Sequence, residues 1–256
     1  MPSWVPDWTD IDHYRLFSGR STYRATRSSK ATFHFDDGDQ SLVCHGVKID
    51  HVDGLGKSYY EYPKDHSPKD AIVQPTGTQN IYGSEDTFRE ALWRTLVGNR
   101  DLQGKKVPDE YRCLLECTPV EEEGPIHTTR GARAFNRFIS QSASLQIGEH
   151  RLCSYFAPVT TIDTQQLKNP QEKMFRFLRT RTLMVKLIGY IGLVPIETQQ
   201  GDLVSLLLGS NVPVILRPFG TRYKVVGGCY VHGIMEGEVM ESLETGKIYI
   251  EDIHLC

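Results

Sequence analysis

The chain has 256 residues, 39% of them hydrophobic and 24% charged, with a formal net charge of -3. That composition excludes wholesale disorder, and the charge leaves no basic footprint for nucleic acid, so a small or neutral partner is expected over a polyanion. The longest apolar run, around residues 203–208, is too short to span a bilayer. A soluble, cytoplasmic protein without a membrane span is therefore expected.

The first eight residues, "MPSWVPDW", hold two tryptophans and two prolines. No basic stretch followed by an apolar one marks a secretory leader. Pro2 and Pro6 impose an extended path, and Trp4 and Trp8 lose hydrophobic free energy unless covered. The segment is expected to lie on the body of the protein, with both indoles as candidate walls of a substrate cavity.

Residues 31–52 alternate at Phe33 and Phe35, turn at Asp37 and Gly38, and alternate again at Leu42, Cys44 and Gly46, which predicts a β-hairpin. Residues 53–83 are rich in Gly, Pro, Tyr and Asp and have no period, as in a long irregular excursion. A helix follows, capped by Ser84, with Glu85 and Asp86 at its positive end and Phe88, Leu92, Trp93 and Leu96 in one stripe; Gly98 and Asn99 stop it. A second helix is predicted over residues 127–145, with Ala134, Phe135, Phe138, Ile139 and Ser142 on one face. The short basic helix "PQEKMFRFLRT" leads into the segments "LMVKLI", "DLVSLLLG", "VPVILRP", "YKVVGGCYV" and "KIYIEDI", each bounded by Gly, Pro or Asp. Short strands at that spacing predict a small barrel or a strongly bent sheet.

The fold class expected is α+β, with helices packed against a C-terminal bent antiparallel sheet or small β-barrel and an N-terminal β-hairpin. One composite domain over 1–256 is expected. Its subregions are an extended segment, hairpin and long loop (1–83), a helical stretch (84–179) and a β-rich module (180–256).

Familiar catalytic motifs fail on spacing. "GLGKSYY" contains Gly56, Lys57 and Ser58, but His51 stands where a phosphate-binding loop needs its first glycine. No GxSxG or HExxH occurs, and the nine histidines stand singly, so no metal and no cofactor are expected. The six cysteines follow no disulfide rhythm, and Cys113 and Cys117 lack a second pair at zinc-ligand spacing. Reduced thiols are expected.

"PSWVPDW", "EALWRTLVGNR" and above all "GYIGLVPIETQQGDLVSLLLGSNVPVILRPFGTRYKVVGGCYVHGIMEGE" resemble the region that follows the heterokaryon-incompatibility (HET) domain in large fungal proteins. The resemblance covers nearly the whole chain and implies a filamentous fungal source. In that family the HET domain, similar to a TIR-type signalling domain, is associated with triggering cell death. This chain begins at a methionine just past where that domain would end, so the effector activity is not expected here. The family's tail offers no established catalytic set to carry over.

Four hydrogen-bond donors in the resembling stretch are candidate catalytic residues. Tyr190 sits between Gly189 and Gly192, and Arg217 sits at a strand end before Pro218, where an arginine is more often a structural hydrogen-bonder to loop carbonyls than a ligand clamp. Tyr230 and His232 share one face of a strand, because side chains alternate.

Two functions compete. The first is a cofactor-independent cyclase, a pericyclase of Diels–Alder type, acting on an apolar terpenoid or polyketide intermediate of fungal specialised metabolism. Such chemistry needs only a near-attack geometry and one donor to a carbonyl. The alternative is a non-catalytic HET-tail module for binding or regulation, linked to heterokaryon incompatibility. A tail standing without its effector domain tips the expectation toward the cyclase.

Overall fold

The structure is a computed structural model and describes residues 2–5, 23–36, 41–58, 71–77, 79–116, 129–156 and 164–256. In chain order the first elements are β1 (Phe33–Asp36), β2 (Ser41–Leu55), α1 (Glu85–Leu96), a 3₁₀ helix (Asp109–Glu116), α2 (Arg130–Ser142), β3 (Gln146–Ile147) and β4 (His150–Arg151). A second 3₁₀ helix (Leu152–Tyr155), α3 (Thr164–Leu178), β5 (Arg181–Lys186), β6 (Ile191–Pro195) and β7 (Leu203–Leu207) follow. The chain closes with β8 (Val214–Phe219), β9 (Arg222–Gly228), β10 (Tyr230–Val231), α4 (Glu238–Glu244) and β11 (Glu251–Leu255). The fold is α+β. It divides into two compact units, Met1–Val52 with Glu197–Cys256, and Asp53–Ile196.

The first unit is built from both ends of the chain. The hairpin forms as its alternation requires, with Phe33 opposite Cys44 and Phe35 opposite Leu42. β2 then pairs antiparallel with β11 and β7, β7 with β8, and β8 with β9. A parallel contact between Leu255 of β11 and Tyr223 of β9 closes a ring of five strands. Side chains two apart on each strand turn to the same side. Leu203, Leu216, Ile253 and Leu255 form a buried cluster, packed by Leu42, Cys44, Leu207, Val214, Tyr223 and Val225. A ring this narrow is filled by its own side chains.

Trp4 packs against that same cluster and lies 5.7 Å from the Phe35 ring. The backbone N–H of Ser3 donates to the Cys256 carbonyl at 3.0 Å, and Ser3 Oγ accepts from the Val225 N–H at 2.9 Å. The opening residues are thus held to the last residue and to β9. Trp8 lies outside the described residues. Because Trp4 is half-buried rather than fully enclosed, Trp4→Ala should cost about 2 kcal/mol and lower the melting temperature by several degrees. Thermal unfolding followed by circular dichroism checks this.

The second unit holds the helices. Ser84 caps α1, its Oγ accepting from the Thr87 N–H at 3.3 Å, and Phe88, Ala91, Leu92 and Leu96 bury the stripe that the sequence marks. Gly98 and Asn99, both at positive φ, end the helix as expected. α2 starts at the Thr129 cap and buries Ala134, Phe135, Phe138, Ile139 and Ser142. α3 is longer than its sequence signal, because Pro170 falls inside it rather than at its first turn. β5 and β6 pair antiparallel, with Leu183 opposite Leu193, and both are buried throughout. That explains their unbroken apolar runs. They cluster with the helices, whereas the sequence places them with the C-terminal strands.

Two further details differ from expectation. A short helix, α4, stands between two of the C-terminal strands, where the sequence reading placed no helix. The last strand begins at Glu251, four residues later than "KIYIEDI" starts, leaving Tyr249 and Ile250 exposed. Gly246, at the end of α4, uses the intervening residues to turn the chain.

Candidate functional site

β8 aims Arg217 at the turn that precedes β7. The register that sets Leu203 opposite Leu216 brings Asp202 opposite Arg217. Arg217 Nε donates to Asp202 Oδ1 at 3.0 Å and Nη2 to Oδ2 at 2.8 Å, a bidentate pair in which the carboxylate is 3% exposed and the guanidinium side chain 30%. Nη2 also donates to the Glu197 carbonyl at 2.6 Å, and the Gln199 N–H donates to Asp202 Oδ2 at 2.7 Å. The turn is laced to the strand through one side chain.

Tyr230 and His232 meet, but not as neighbours on one strand face: β10 ends at Val231, and His232 lies in the turn that follows. The Tyr230 hydroxyl is 3.0 Å from His232 Nδ1, Tyr230 is 1% exposed, and its ring lies 5.9 Å from Tyr23. Beside them the Val231 N–H donates to Met235 Sδ at 3.4 Å.

Tyr190 belongs to the other unit. It follows the β5–β6 turn, where Gly189 takes φ +92° and its Cα lies so close to the Gln79 carbonyl that a side chain would collide. Lys186 Nζ stands 4.7 Å from the centre of the Tyr190 ring, and the Tyr82 ring meets it edge-on at 6.0 Å. Lys186 is fully buried. The Tyr82 hydroxyl accepts the Ile191 N–H at 3.1 Å, and burial pushes that phenol far above its usual range. The structure thus brings Tyr230 and His232 together, binds Arg217 to Asp202 and Glu197, and sets Tyr190 in an aromatic corner of its own.

Sequence reasoning missed a cleft of about 330 Å³ along α1 and the first 3₁₀ helix. Trp93 and Leu115 form apolar lining, and Asp86, Glu90, Asp109, Glu116, Arg89 and Arg112 supply charge. Arg94 stacks on Trp93 at 4.2 Å and bridges Glu90 at 2.9 Å and Asp109 at 2.7 Å. The only hint in the sequence is the charged face of α1, since the facing 3₁₀ helix arrives through tertiary packing.

Lys173 on α3 was also missed. Its Nζ lies 4.8 Å from the Phe177 ring. Burial pushes its ammonium down to about 8; Asp101 opposes the shift, while Arg176 and Arg100 add to it. The unfolded chain holds this proton up to about 10.5, so between those values it binds more protons than the folded chain, and stability should rise with pH across that window. Lys173→Met should remove the rise, as measured by urea unfolding of both proteins at about pH 7.5 and about pH 10.

Among the described residues, no group of three or more His, Cys, Asp or Glu is placed to hold a metal ion, and no helix is long and apolar enough to cross a membrane. The described cysteines are unbridged.

Residues 132–250 match the family model of the Het-6 beta-barrel domain. Over 187 residues, 67% of its length, the chain is 33% identical to "Heterokaryon incompatibility protein 6, OR allele" of Neurospora crassa. The chain is a relative of the heterokaryon-incompatibility proteins. It spans about a quarter of the Neurospora protein, since the match takes in 26% of that relative. No solved structure matches. The matched stretch begins within α2 and ends just before β11, so it contains β7, β8 and β9 of the ring and leaves out β2 and β11. Arg217, Tyr230, His232 and Tyr190 all fall inside it.

Proposed function

We propose that this chain is a non-catalytic binding or regulatory module linked to heterokaryon incompatibility. The observation that carries the reading is how the candidate donors are used. Arg217 Nε and Nη2 are held by Asp202 and Glu197, Tyr230 and His232 share one hydrogen bond, and the Tyr190 ring packs against Lys186 and Tyr82. Arg217 must break those bonds before Nε or Nη2 can polarise a substrate carbonyl, which costs it the preorganisation on which such catalysis depends. The ring strands also bury a cluster of their own side chains, against which Trp4 packs. The similarity to the Neurospora incompatibility protein supports the biological setting.

The test is genetic. Strains of the source fungus carrying or lacking the gene are paired, and heterokaryon formation is scored. The module reading expects loss of the gene to change the frequency of heterokaryons in at least one pairing. Unchanged frequencies in every pairing would argue against it.

A further inference from the structure

Asp86, Arg89, Glu90 and Trp93 stand at i, i+3, i+4 and i+7 on α1, so they share one helix face, and that face is one wall of the cleft of about 330 Å³. The first 3₁₀ helix supplies the other wall through Asp109, Arg112, Leu115 and Glu116. Trp93 and Leu115 are buried and make an apolar floor, while Asp86, Glu90 and Asp109 are exposed at the rim. Arg94 fastens the walls together, donating to Glu90 of α1, to Asp109 of the 3₁₀ helix and to Asn99 Oδ1 at 3.1 Å. It bonds each carboxylate through one oxygen, Glu90 Oε1 and Asp109 Oδ1. A carboxylate has about four acceptor positions, so both can take a further donor.

Carboxylates outnumber guanidiniums four to two in the lining, and counting Arg94 still leaves the walls net negative. A cation is the complementary guest, and the apolar floor suits one with an alkyl stem. The volume, about 330 Å³, is at the small end for ligand pockets and fits one long side chain rather than a cofactor. Arg94 shows which cation these groups hold. Its guanidinium lies over Trp93 at 4.2 Å and reaches both Glu90 and Asp109 with a planar fork that an ammonium lacks. We propose that the cleft is a docking site for an arginine side chain of a partner protein. The stem lies on Trp93 and Leu115, and the guanidinium faces Asp86 and Glu116, the two lining carboxylates that Arg94 does not bridge. Arg112, 4.0 Å from Glu116, competes with the guest for that carboxylate. The inference rests on the binding part of the functional reading and names the group that is bound.

The probe is arginine capped at both ends, N-acetyl-arginine methylamide, titrated into the full chain while the indole N–H groups are followed by proton–nitrogen NMR. The chain has three tryptophans, and Trp93→Phe identifies the resonance of Trp93. That resonance should shift with a Kd of about 1–10 mM, as suits one side chain, and binding should weaken several-fold between about 0.05 M and about 0.5 M salt. The equivalent lysine derivative should bind about five- to tenfold more weakly, and the glutamate derivative should leave the resonance unmoved. Asp86 is exposed and the Glu116 side chain 41% exposed, so Asp86→Asn with Glu116→Gln leaves the core intact and should weaken binding about five- to tenfold. Arg112→Gln removes the competing cation and should tighten binding about two- to threefold, a gain that damage to the fold does not produce. An unmoved Trp93 resonance at about 50 mM probe, equal shifts from the glutamate derivative, or a double variant that binds like the wild type would each overturn the proposal. So would tighter binding of free arginine than of the capped form, which would make the guest an amino acid. Heterokaryon frequency enters none of these readouts, so the docking site and the incompatibility link fail separately.

Discussion

Phe88→Ala should be the most damaging single truncation in the helical unit, at about 3–5 kcal/mol. The ring is 1% exposed. It stacks on Tyr155 at 5.1 Å and meets Tyr82 edge-on at 5.7 Å, and each neighbour carries a second task. Tyr155 donates its hydroxyl proton to the Ile147 carbonyl at 2.9 Å, tying the second 3₁₀ helix to β3. Tyr82 accepts from Ile191, tying the residues before α1 to β6. Removing Phe88 empties the space that holds both phenols in register, so the loss exceeds its transfer energy. Urea unfolding should show a lower midpoint with little change in slope. A loss below about 1 kcal/mol would mean that the cluster repacks freely.

Arg217→Ala should cost about 3 kcal/mol, because it leaves the Asp202 carboxylate buried with the Gln199 N–H but without its cation. Arg217→Lys should recover only part of this, since an ammonium keeps the charge and loses the fork that reaches both carboxylate oxygens and the Glu197 carbonyl. Replacing both partners with apolar residues, Arg217→Met with Asp202→Leu, should be far less harmful than Arg217→Ala, because no charge is stranded. Equal losses in the single and double variants, again by urea unfolding, would show that the pair is not what holds the turn.

Local features were legible in the sequence because their causes are local. Ser84 announces α1 through its cap, and Phe33 and Phe35 announce the hairpin through their period, whereas Tyr230 and His232 meet through the turn that ends β10 rather than through strand alternation. The relationship to heterokaryon-incompatibility proteins was legible in the stretch from "GYIG" to "GIMEGE". The ring was legible only in part. Its strands are short and turn-bounded, but its closure depends on pairing Cys44 with Ile253 and Gly46 with Leu207, contacts between distant parts of the chain that no local pattern encodes. β5 and β6 carry the same apolar signal as β7 and β8, so composition could not assign them to a different unit. Asp202 looked like an ordinary turn residue until the register set it opposite Arg217. Lys173 carries no sequence signal at all, since its depressed ammonium comes from burial and from the neighbouring charges.

The central claim is that these polar side chains hold the fold and act on no small molecule. A cyclisation of the Diels–Alder type is an isomerisation, so its loss leaves a distinctive trace: a product disappears while an uncyclised compound of identical mass accumulates. Liquid chromatography with mass spectrometry of extracts from the parent fungus and a gene deletion measures this directly. The account predicts the same set of compounds in both extracts. A product lost in the deletion and replaced by its isomer, restored by the wild-type gene but not by one carrying Tyr230→Phe, would contradict it.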